Sequence, residues 1–395
     1  MKKIGLFLFG ICFALQMVAQ EQNYFTNPVI RGDVPDPSVI RIEDTYYATG
    51  TSSEWAPFYP MFTSKDLVNW KQVGHVFTKQ PSWTSNSFWA PELFYHNNKV
   101  YCYYTARQKS TGISYIGVAT SDSPLHEFTD HGPIVEYGKE AIDAFIYDDN
   151  GQLYISWKAY GLDTRPIELL GCKLSADGLH LDGEPFTLLV DEKGIGMEGQ
   201  YHFKEGDYYY IVYAAHGCCG PSSDYDVYVA RARNYGGPYE KYSGNPILHG
   251  GEGDYKSCGH GTVVRTSDGR MFYMCHAYLK GDGFFIGRQP ILQEMEMTDD
   301  HWVRFKTGNL AIAEQPIPFV DTKQEPLSDF EDNFKGNQLK VDWTWNYPYS
   351  DIHAVLKKGK LFLSGTPKNN NKYGTALCLR PQSPQYSCET KVINT

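Results

Sequence analysis

The sequence lacks the features that would suit it to a polyanionic partner or to a membrane. Its 36 Lys and Arg residues are outnumbered by 46 Asp and Glu, and the formal net charge of -10 disfavours binding to nucleic acid or to an anionic membrane surface. After the first 20 residues no apolar run is long enough to span a bilayer. Long amphipathic helical periodicity is also absent, which argues against α/β folds and helical repeats.

The amino terminus has the pattern of an export signal. Lys2 and Lys3 precede an apolar run over residues 4–19, and polar residues follow from Gln20. The run is shorter than the roughly 20 apolar residues of a membrane anchor and is interrupted by Gln16. We therefore predict a signal peptide over residues 1–20 and a mature product that is secreted or periplasmic, with no membrane span once the signal is removed.

Cysteine is scarce, and its spacing matches no zinc site. Of the 9 cysteines, Cys12 lies in the predicted signal peptide. The adjacent pair Cys218 and Cys219 is flanked by glycines. In an oxidising compartment this pair forms either a vicinal disulfide or two buried thiols, and the sequence leaves both alternatives open.

Aromatic residues are abundant, and their distribution predicts the architecture. Strand-like runs rich in Tyr recur at intervals of roughly 55 residues, and most of them follow a turn signal. Their aligned aromatics are Tyr46, Tyr101, Tyr154, Tyr209 and Phe272. Further short strands and a turn-rich tail follow each run, so the unit is an antiparallel sheet of about four strands. Five such units predict an all-β fold with a five-bladed β-propeller over about residues 25–320.

The composition changes after the fifth unit. Residues 321–326 are polar and contain proline, as a linker would, and strand-like segments follow from about residue 329. These segments look like the opening strands of a β-sandwich, although a complete sandwich needs about 100 residues. We predict that residues 321–395 form a linker and an incomplete carboxyl-terminal β-sandwich, so that the chain is truncated or a fragment.

Three carboxylates stand in unusual contexts. Asp36 lies between two prolines, Asp143 interrupts an apolar run, and Glu198 is set among apolar residues and glycines. Each precedes the aromatic run of its unit by a similar distance. We predict that these runs are the inner strands of the blades, so that the three carboxylates occupy equivalent positions facing the propeller axis. Asp-Pro is also ordinary turn chemistry, and a buried carboxylate can simply be paired. For Glu198 the apolar surroundings predict a raised pKa, which suits a general acid.

Other residues at the same phase extend this predicted site. Two carboxylates beside an aromatic platform fit glycoside hydrolysis, and Trp89 and Trp55 are the candidates to stack on a sugar, although a lone Trp is more often a core residue. His260, flanked by glycines, holds either a metal or a water, or is a satisfied polar residue. Arg288 either neutralises the acidic cluster or binds sugar hydroxyls.

In order along about 300 residues, these segments together resemble glycoside hydrolase family 43, the β-xylosidase and α-L-arabinofuranosidase group. The segments are Pro35-Asp36-Pro37-Ser38, Ser64-Lys65-Asp66-Leu67-Val68-Asn69-Trp70, Trp89-Ala90-Pro91-Glu92, Ile142-Asp143, Glu198-Gly199, Gly259-His260-Gly261 and Gly287-Arg288. The resemblance implies a reaction that inverts anomeric configuration, with Asp36 as general base and Glu198 as general acid. It implies that Asp143 orients the acid and tunes its pKa.

The resemblance also assigns the remaining site residues. It implies that Trp89 lines the terminal-sugar subsite, that Arg288 contacts its hydroxyls, and that His260 lies near an axial ion or water. It implies no organic cofactor, and a structural Ca²⁺ near the axis is a further expectation. The carboxyl-terminal segment resembles the start of the family's concanavalin-like sandwich.

Two local departures leave the sugar open. Gly199-Gln200-Tyr201 follows the acid where xylosidases of this kind often have Gly-Pro-His, and Gln289-Pro290 follows the arginine in place of Glu-Thr. The double-cysteine loop resembles one in arabinan-directed members. The leading hypothesis is an exported exo-acting glycosidase that releases terminal xylose or arabinofuranose from plant oligosaccharides, with a bell-shaped pH profile. The alternatives are an endo-arabinanase and a non-catalytic carbohydrate-binding propeller, and the oligomeric state is open.

Overall fold

The computed structural model describes residues 23–159, 166–281, 283–372 and 374–393. The predicted signal peptide over residues 1–20 lies outside these ranges. The described chain is built almost entirely of β-strands, with a single short 3-10 helix at Phe284–Ile286. In the described part of the chain, no helix has the length and apolar character needed to cross a bilayer.

Five antiparallel sheets of four consecutive strands form the body of the molecule, which confirms the predicted five-bladed propeller. A short extra strand, Leu248–His249, also pairs with the third strand of blade 4. The strands are, for blade 1, Ser38–Ile42, Thr45–Thr49, Phe58–Ser64 and Lys71–Phe77; for blade 2, Trp89–His96, Lys99–Arg107, Ser114–Ser121 and Thr129–Val135; for blade 3, Ala141–Asp149, Gln152–Ala159, Glu168–Lys173 and Phe186–Val190; for blade 4, Met197–Glu205, Tyr208–Ala215, Asp226–Ala232 and Glu240–Lys241; and for blade 5, Tyr255–Arg265, Met271–Leu279, Gln289–Met297 and Val303–Phe305.

The first strands of successive blades contact one another around the axis, and the first strand of blade 5 contacts that of blade 1. Two amino-terminal features support this closure. The strand Tyr24–Thr26 pairs with Glu314–Pro316, which follows blade 5. The side chain of Asn27 exchanges hydrogen bonds with the backbone of Leu292 in the third strand of blade 5. The amino-terminal segment thus joins blade 1 to blade 5 and closes the ring.

The apolar core is divided among the blade interfaces. Each of the five buried clusters is shared between two neighbouring blades, including blades 5 and 1. The tyrosine-rich runs supply many of these side chains, and Tyr103, Trp157, Tyr210 and Tyr273 are fully buried. These runs form the second strand of each blade. The prediction that they are the inner strands is wrong, because the preceding strands contact one another around the axis and carry the candidate catalytic residues.

The innermost strands share a local distortion. In blades 2 to 5 their pairing with the second strand is shifted by a β-bulge. In each of these four blades the residue at the bulge has a positive φ. In blade 1 the corresponding residue with positive φ lies two positions before the first strand. In chain order the five residues are Asp36, Ala90, Asp143, Gly199 and His260. A left-handed conformation costs a non-glycine residue roughly 1–3 kcal/mol. Bulges re-aim side chains, and the repeated distortion turns one group per blade toward the axis.

The described residues beyond 320 form three short strands. Trp345–Asn346 pairs with Trp55–Ala56, which lies in the loop between the second and third strands of blade 1. His353–Leu356 and Leu361–Ser364 form a hairpin whose Phe362 is half exposed. This segment packs on the propeller through Tyr347, whose ring makes an edge contact with Phe58 at 5.0 Å. The predicted concanavalin-like sandwich stays a prediction.

Candidate active site

The bulges bring the three predicted carboxylates together at one end of the propeller, with His260 between them. Nδ1 of His260 lies 3.4 Å from Oδ1 of Asp36 and 3.8 Å from Oδ2 of Asp143. The backbone N–H of Gly199, next to Glu198, donates to Oδ2 of Asp143 at 3.1 Å. Four blades therefore contribute to one cluster, as the shared phase of these residues in the repeats predicted.

Asp36 is surrounded by groups that favour its ionised form. Thr51 donates a hydrogen bond of 2.6 Å to Oδ2, and Nη1 of Arg288 lies 3.6 Å from Oδ1. Burial by itself would raise the pKa of Asp36, but the groups beside it, of which Arg288 acts most strongly, together hold the pKa well below the usual range. Asp36 is therefore a carboxylate, able to accept a proton, at neutral and mildly acidic pH.

Asp143 and Glu198 form a different environment on the facing side. Nζ of Lys158 lies 2.7 Å from Oε2 of Glu198, and the Tyr225 hydroxyl donates to Oε1 at 2.9 Å. Asp143 is fixed through its backbone as well, because its N–H donates to Thr105 and its carbonyl accepts from Gln200. Two acidic side chains thus share a buried space with one ammonium group.

The pKa values in this pair move in opposite directions. Burial raises the pKa of Asp143 to about 6, and the nearby charge of Glu198 acts in the same direction. Burial by itself would also raise the pKa of Glu198, but Lys158, with smaller effects from His260 and Tyr225, brings a net lowering of that pKa. The sequence-based expectation of a raised pKa for Glu198 is therefore wrong in the net direction, because it considered the apolar neighbours and not the lysine. Since the two groups are coupled, the pair holds one proton below about pH 6.

A regular device holds the bulges in place. In blades 1, 2 and 3 the N–H of the residue with positive φ donates a hydrogen bond to a side chain of the preceding blade. That side chain lies in the second strand of the preceding blade or just after it. The three donor and acceptor pairs are Asp36 with Nδ1 of His276, Ala90 with Thr51, and Asp143 with Thr105. Burial lowers the pKa of His276, so its ring is neutral and has a nitrogen that can accept. In these three blades a side chain of the preceding blade thus fixes the backbone of the left-handed residue.

The predicted sugar-binding residues have different surroundings. Trp89 is half buried in the first strand of blade 2, and the guanidinium of Arg107 lies 5.7 Å from the centre of its ring. Arg288 is drawn into the cluster by its contact with Asp36, and its backbone N–H donates to Asp33. Trp55 is 39% exposed, in the short strand paired with the carboxyl-terminal segment. Its contact with substrate stays a prediction.

His260 has the position that the sequence predicted, but its nearest partners are carboxylates. Gly199 lies directly against its ring, where a Cβ atom would come within 2.5 Å of Cγ. Within the described ranges, no group of three His, Cys, Asp or Glu side chains is arranged to hold a metal ion. The imidazole links Asp36 to Asp143, and the expected Ca²⁺ near the axis stays a prediction.

Cys218 and Cys219 lie in the loop between the second and third strands of blade 4. Both are free thiols and not a disulfide, but they are not the predicted buried pair, because Cys218 is partly buried and Cys219 is exposed. A hydrogen bond from the neighbouring thiol lowers the pKa of Cys219 to about 7. The loop is tied to blade 5, because the N–H of Gly220 donates to the Tyr278 hydroxyl. The two thiols therefore lie at the edge of the carboxylate cluster.

Sequence reasoning missed four polar residues that contact the carboxylates: Thr51, Lys158, Tyr225 and His276. For two of them the repeat carried a usable signal. Lys158 and His276 each lie four residues after the aligned aromatic of their unit, as does Thr105. Their polar character stands out because most residues of the second strands are apolar. Tyr225 precedes a third strand and had no comparable signal.

Comparison with known proteins agrees with this site. The family described as glycosyl hydrolases family 43 matches residues 25–303. A xylan 1,3-β-xylosidase from a Vibrio species is 28% identical over 93% of this chain and 74% of its own length. A non-reducing end α-L-arabinofuranosidase from Bacteroides ovatus is 28% identical over 93% of this chain and 69% of its own length.

Among solved structures, a Bacteroides ovatus protein of a xyloglucan locus, also assigned to family 43, superimposes with a TM-score of 0.77. It is 23% identical and the match covers 91% of this chain and 72% of that one, so this likeness supports the fold. The family match covers the propeller from its amino-terminal strand to the start of the last strand of blade 5, and it includes all three carboxylates. The chain therefore belongs to glycoside hydrolase family 43 and is a glycoside hydrolase.

Proposed function

We propose that the protein is an exported, exo-acting glycosidase that releases terminal xylose or arabinofuranose by a single inverting displacement. The observation that carries this proposal is the division of charge in one buried cluster. Asp36 is held ionised by Arg288, whereas the Asp143 and Glu198 pair holds a proton below about pH 6. A base and a proton source in one site are what inverting hydrolysis of a glycoside needs.

In the proposed reaction Asp36 accepts a proton from a water molecule as the water oxygen bonds to the anomeric carbon. The bond from that carbon to the glycosidic oxygen breaks, and Glu198 gives that oxygen the proton held by the pair. Asp143 shares the proton with Glu198 and is held by the Gly199 N–H. Family 43 enzymes generally need no cofactor, and these side chains supply both proton transfers.

The identity of the sugar and the site of action are also part of the proposal. Relatives named as a β-xylosidase and as an α-L-arabinofuranosidase align over most of the chain, which supports a pentose at the reacting position. The half-buried indole of Trp89 offers the terminal sugar an apolar face beside the carboxylates. Export is supported by the signal-like pattern of residues 1–20.

The test is to assay the purified mature chain on nitrophenyl β-D-xyloside, nitrophenyl α-L-arabinofuranoside and linear arabinan. Asp36→Ala and Glu198→Ala are measured in parallel, with Asp44→Ala as control because that carboxylate is 79% exposed and distant in the repeat. We expect turnover of one aryl glycoside, a monosaccharide product of inverted configuration by proton NMR, and loss in both site variants only.

Three results would each contradict part of the proposal. Release of mixed oligosaccharides from arabinan, without action on either aryl glycoside, would establish an endo-arabinanase. Sugar binding without turnover of any substrate would establish a non-catalytic propeller. Detection of the chain only inside the cell, with residues 1–20 still attached, would contradict export.

A further inference from the structure

We propose that Lys158 is a positioning residue for Glu198, and that its ammonium group sets the alkaline limit of the enzyme's working pH range. This inference rests on the proposed role of Glu198 as general acid. Lys158 is buried in the second strand of blade 3, and Glu198 lies in the first strand of blade 4. The contact therefore crosses a blade interface, as do the contacts that support the other bulges.

The repeat shows that a lysine departs from the pattern at this position. Lys158 pairs in register with Ile142, the residue before the bulge of its own blade. The residues at the equivalent place are Thr105 in blade 2, opposite Trp89, and His276 in blade 5, opposite Gly259. Both equivalents accept the bulge N–H of the next blade. A protonated lysine has three donors and no acceptor, so it cannot do the same.

The hydrogen bonds around the blade 4 bulge are rearranged accordingly. The N–H of Gly199 finds no acceptor on the second strand of blade 3, and it donates instead to Oδ2 of Asp143 in the first strand of that blade. Lys158 is left to donate to Oε2 of Glu198 at 2.7 Å. Because a lysine that can only donate stands where the other blades have an acceptor, Asp143 is bonded to the backbone beside Glu198. The same lysine places a cation next to Glu198.

The two oxygens of Glu198 are both occupied by donors. Tyr225 takes Oε1 and Lys158 takes Oε2, an arrangement that fits a carboxylate and fixes its orientation. Six titratable or charged groups act on Glu198 or interact with it electrostatically, and they come from blades 3 to 5 and the thiol loop. They are Lys158, Asp143, Tyr225, His260, Cys218 and Cys219. Of the cationic influences on Glu198, Lys158 is the largest.

The consequence for pH follows from the sign of this charge. A cation near a carboxylate favours its ionised form, so the pair gives up its proton at a lower pH than it would without Lys158. The acid must be protonated to act, so activity is lost as the pH rises through the point at which the pair ionises. Removal of the ammonium group shifts this alkaline limb to higher pH.

The experiment measures kcat/KM from pH 4 to 9 on the best aryl glycoside for three variants. Lys158→Met and Lys158→Gln remove the charge, and Lys158→Arg keeps it. We expect both neutral variants to move the alkaline limb upward by at least about one pH unit, which multiplies the ratio of activity at pH 8 to that at pH 6 by about fivefold or more. Lys158→Arg keeps the limb near its original position.

Lys306→Met is the matched control, because Lys306 makes a similar contact of 2.6 Å with the buried Glu294. Glu294 lies in the third strand of blade 5, away from the carboxylate cluster. It is expected to leave the shape of the pH profile unchanged. Lys158→Gln keeps a hydrogen-bond donor and serves if the methionine variant does not fold. A uniform loss of activity in folded neutral variants, with the alkaline limb unmoved, would show that Lys158 is only structural.

The two proposals fail in different ways. If Glu198→Ala retains full activity, the assignment of the acid is wrong and the inference about Lys158 falls with it. If Glu198 is required but the alkaline limb of Lys158→Met stays in place, the proposed function stands and only the role of Lys158 is overturned.

Discussion

The two sides of the carboxylate cluster contain the same kind of acidic group in opposite states. On the side of blades 1 and 5, Asp36 meets Arg288 and His260 and is kept ionised. On the side of blades 3 and 4, Asp143 and Glu198 share one ammonium group, and the pair keeps a proton to about pH 6. Burial acts in the same direction on all three carboxylates. The difference teaches that the neighbouring charges, not the depth of the site, separate base from acid.

The largest expected effect comes from removing the ionised side. Asp36→Asn should lower kcat by about 10²–10⁴-fold on every substrate, because no other group of the site is held ready to take a proton from water. Steady-state kinetics at pH 6 measure the loss, and thermal unfolding checks that the variant is folded. Activity within about tenfold of wild type would contradict the role of Asp36 as base.

The second prediction separates the two sides by the nature of the leaving group. Glu198→Gln should lower kcat by about 10²-fold or more on an oligosaccharide, but by about tenfold or less on a dinitrophenyl glycoside, whose leaving group needs no proton. Asp36→Asn provides the control, since its loss should be similar on both substrates. An equal loss on both substrates for Glu198→Gln would argue against the role of Glu198 as acid.

The third prediction concerns the acid limb of the pH profile. Arg288→Met removes the largest influence that lowers the pKa of Asp36 and leaves burial to raise it. The base then becomes protonated at a higher pH, so the variant should lose about tenfold in kcat/KM between about pH 6 and pH 4, whereas wild type should not. The ratio of the two values cancels any loss of sugar contacts. An unchanged ratio would show that Arg288 does not control Asp36.

The smallest expected effect is on stability. The pKa of Asp143 is raised in the folded state, so its contribution to stability is complete at low pH and is lost as the pH rises through about 6. Asp143→Asn avoids ionising a buried group. The melting temperature of this variant relative to wild type should therefore be higher at pH 7.5 than at pH 4.5, by about 2–4 °C for each kcal/mol.

Asp36→Asn should show the opposite trend. The pKa of Asp36 is lowered on folding, so its contribution is present above the unfolded pKa and is missing from the variant at neutral pH. If both variants change with pH in the same direction, the two sides of the cluster do not differ as described.

The repeat made much of the site predictable. The phase of Asp36, Asp143 and Glu198 relative to the aromatic runs placed them at equivalent positions, and the structure brings them together. The same reasoning misjudged the strands, because the aromatic runs are the second strands and not the innermost ones. A short alternating run has the same pattern on either strand of a hairpin, so only the closed ring decides which one faces the axis.

The partners of the carboxylates were not predictable in the same way. Lys158 is 40 residues from Glu198, and His276 is 240 residues from Asp36. Local sequence around Glu198 is apolar and suggested a raised pKa, yet the lysine that lowers it belongs to another blade. The sign of a pKa shift depends on charges within a few ångströms, and sequence neighbours supply only some of them.

The sequence by itself determined the number of blades and the residues that the bulges present. Each repeat is a sheet that must cover both faces with apolar side chains, so five copies specify five blades and a closed ring. The tertiary structure alone decided which carboxylate is ionised. Closing the ring sets each bulge against the second strand of the preceding blade, and electrostatic energy depends on the distances that this packing creates.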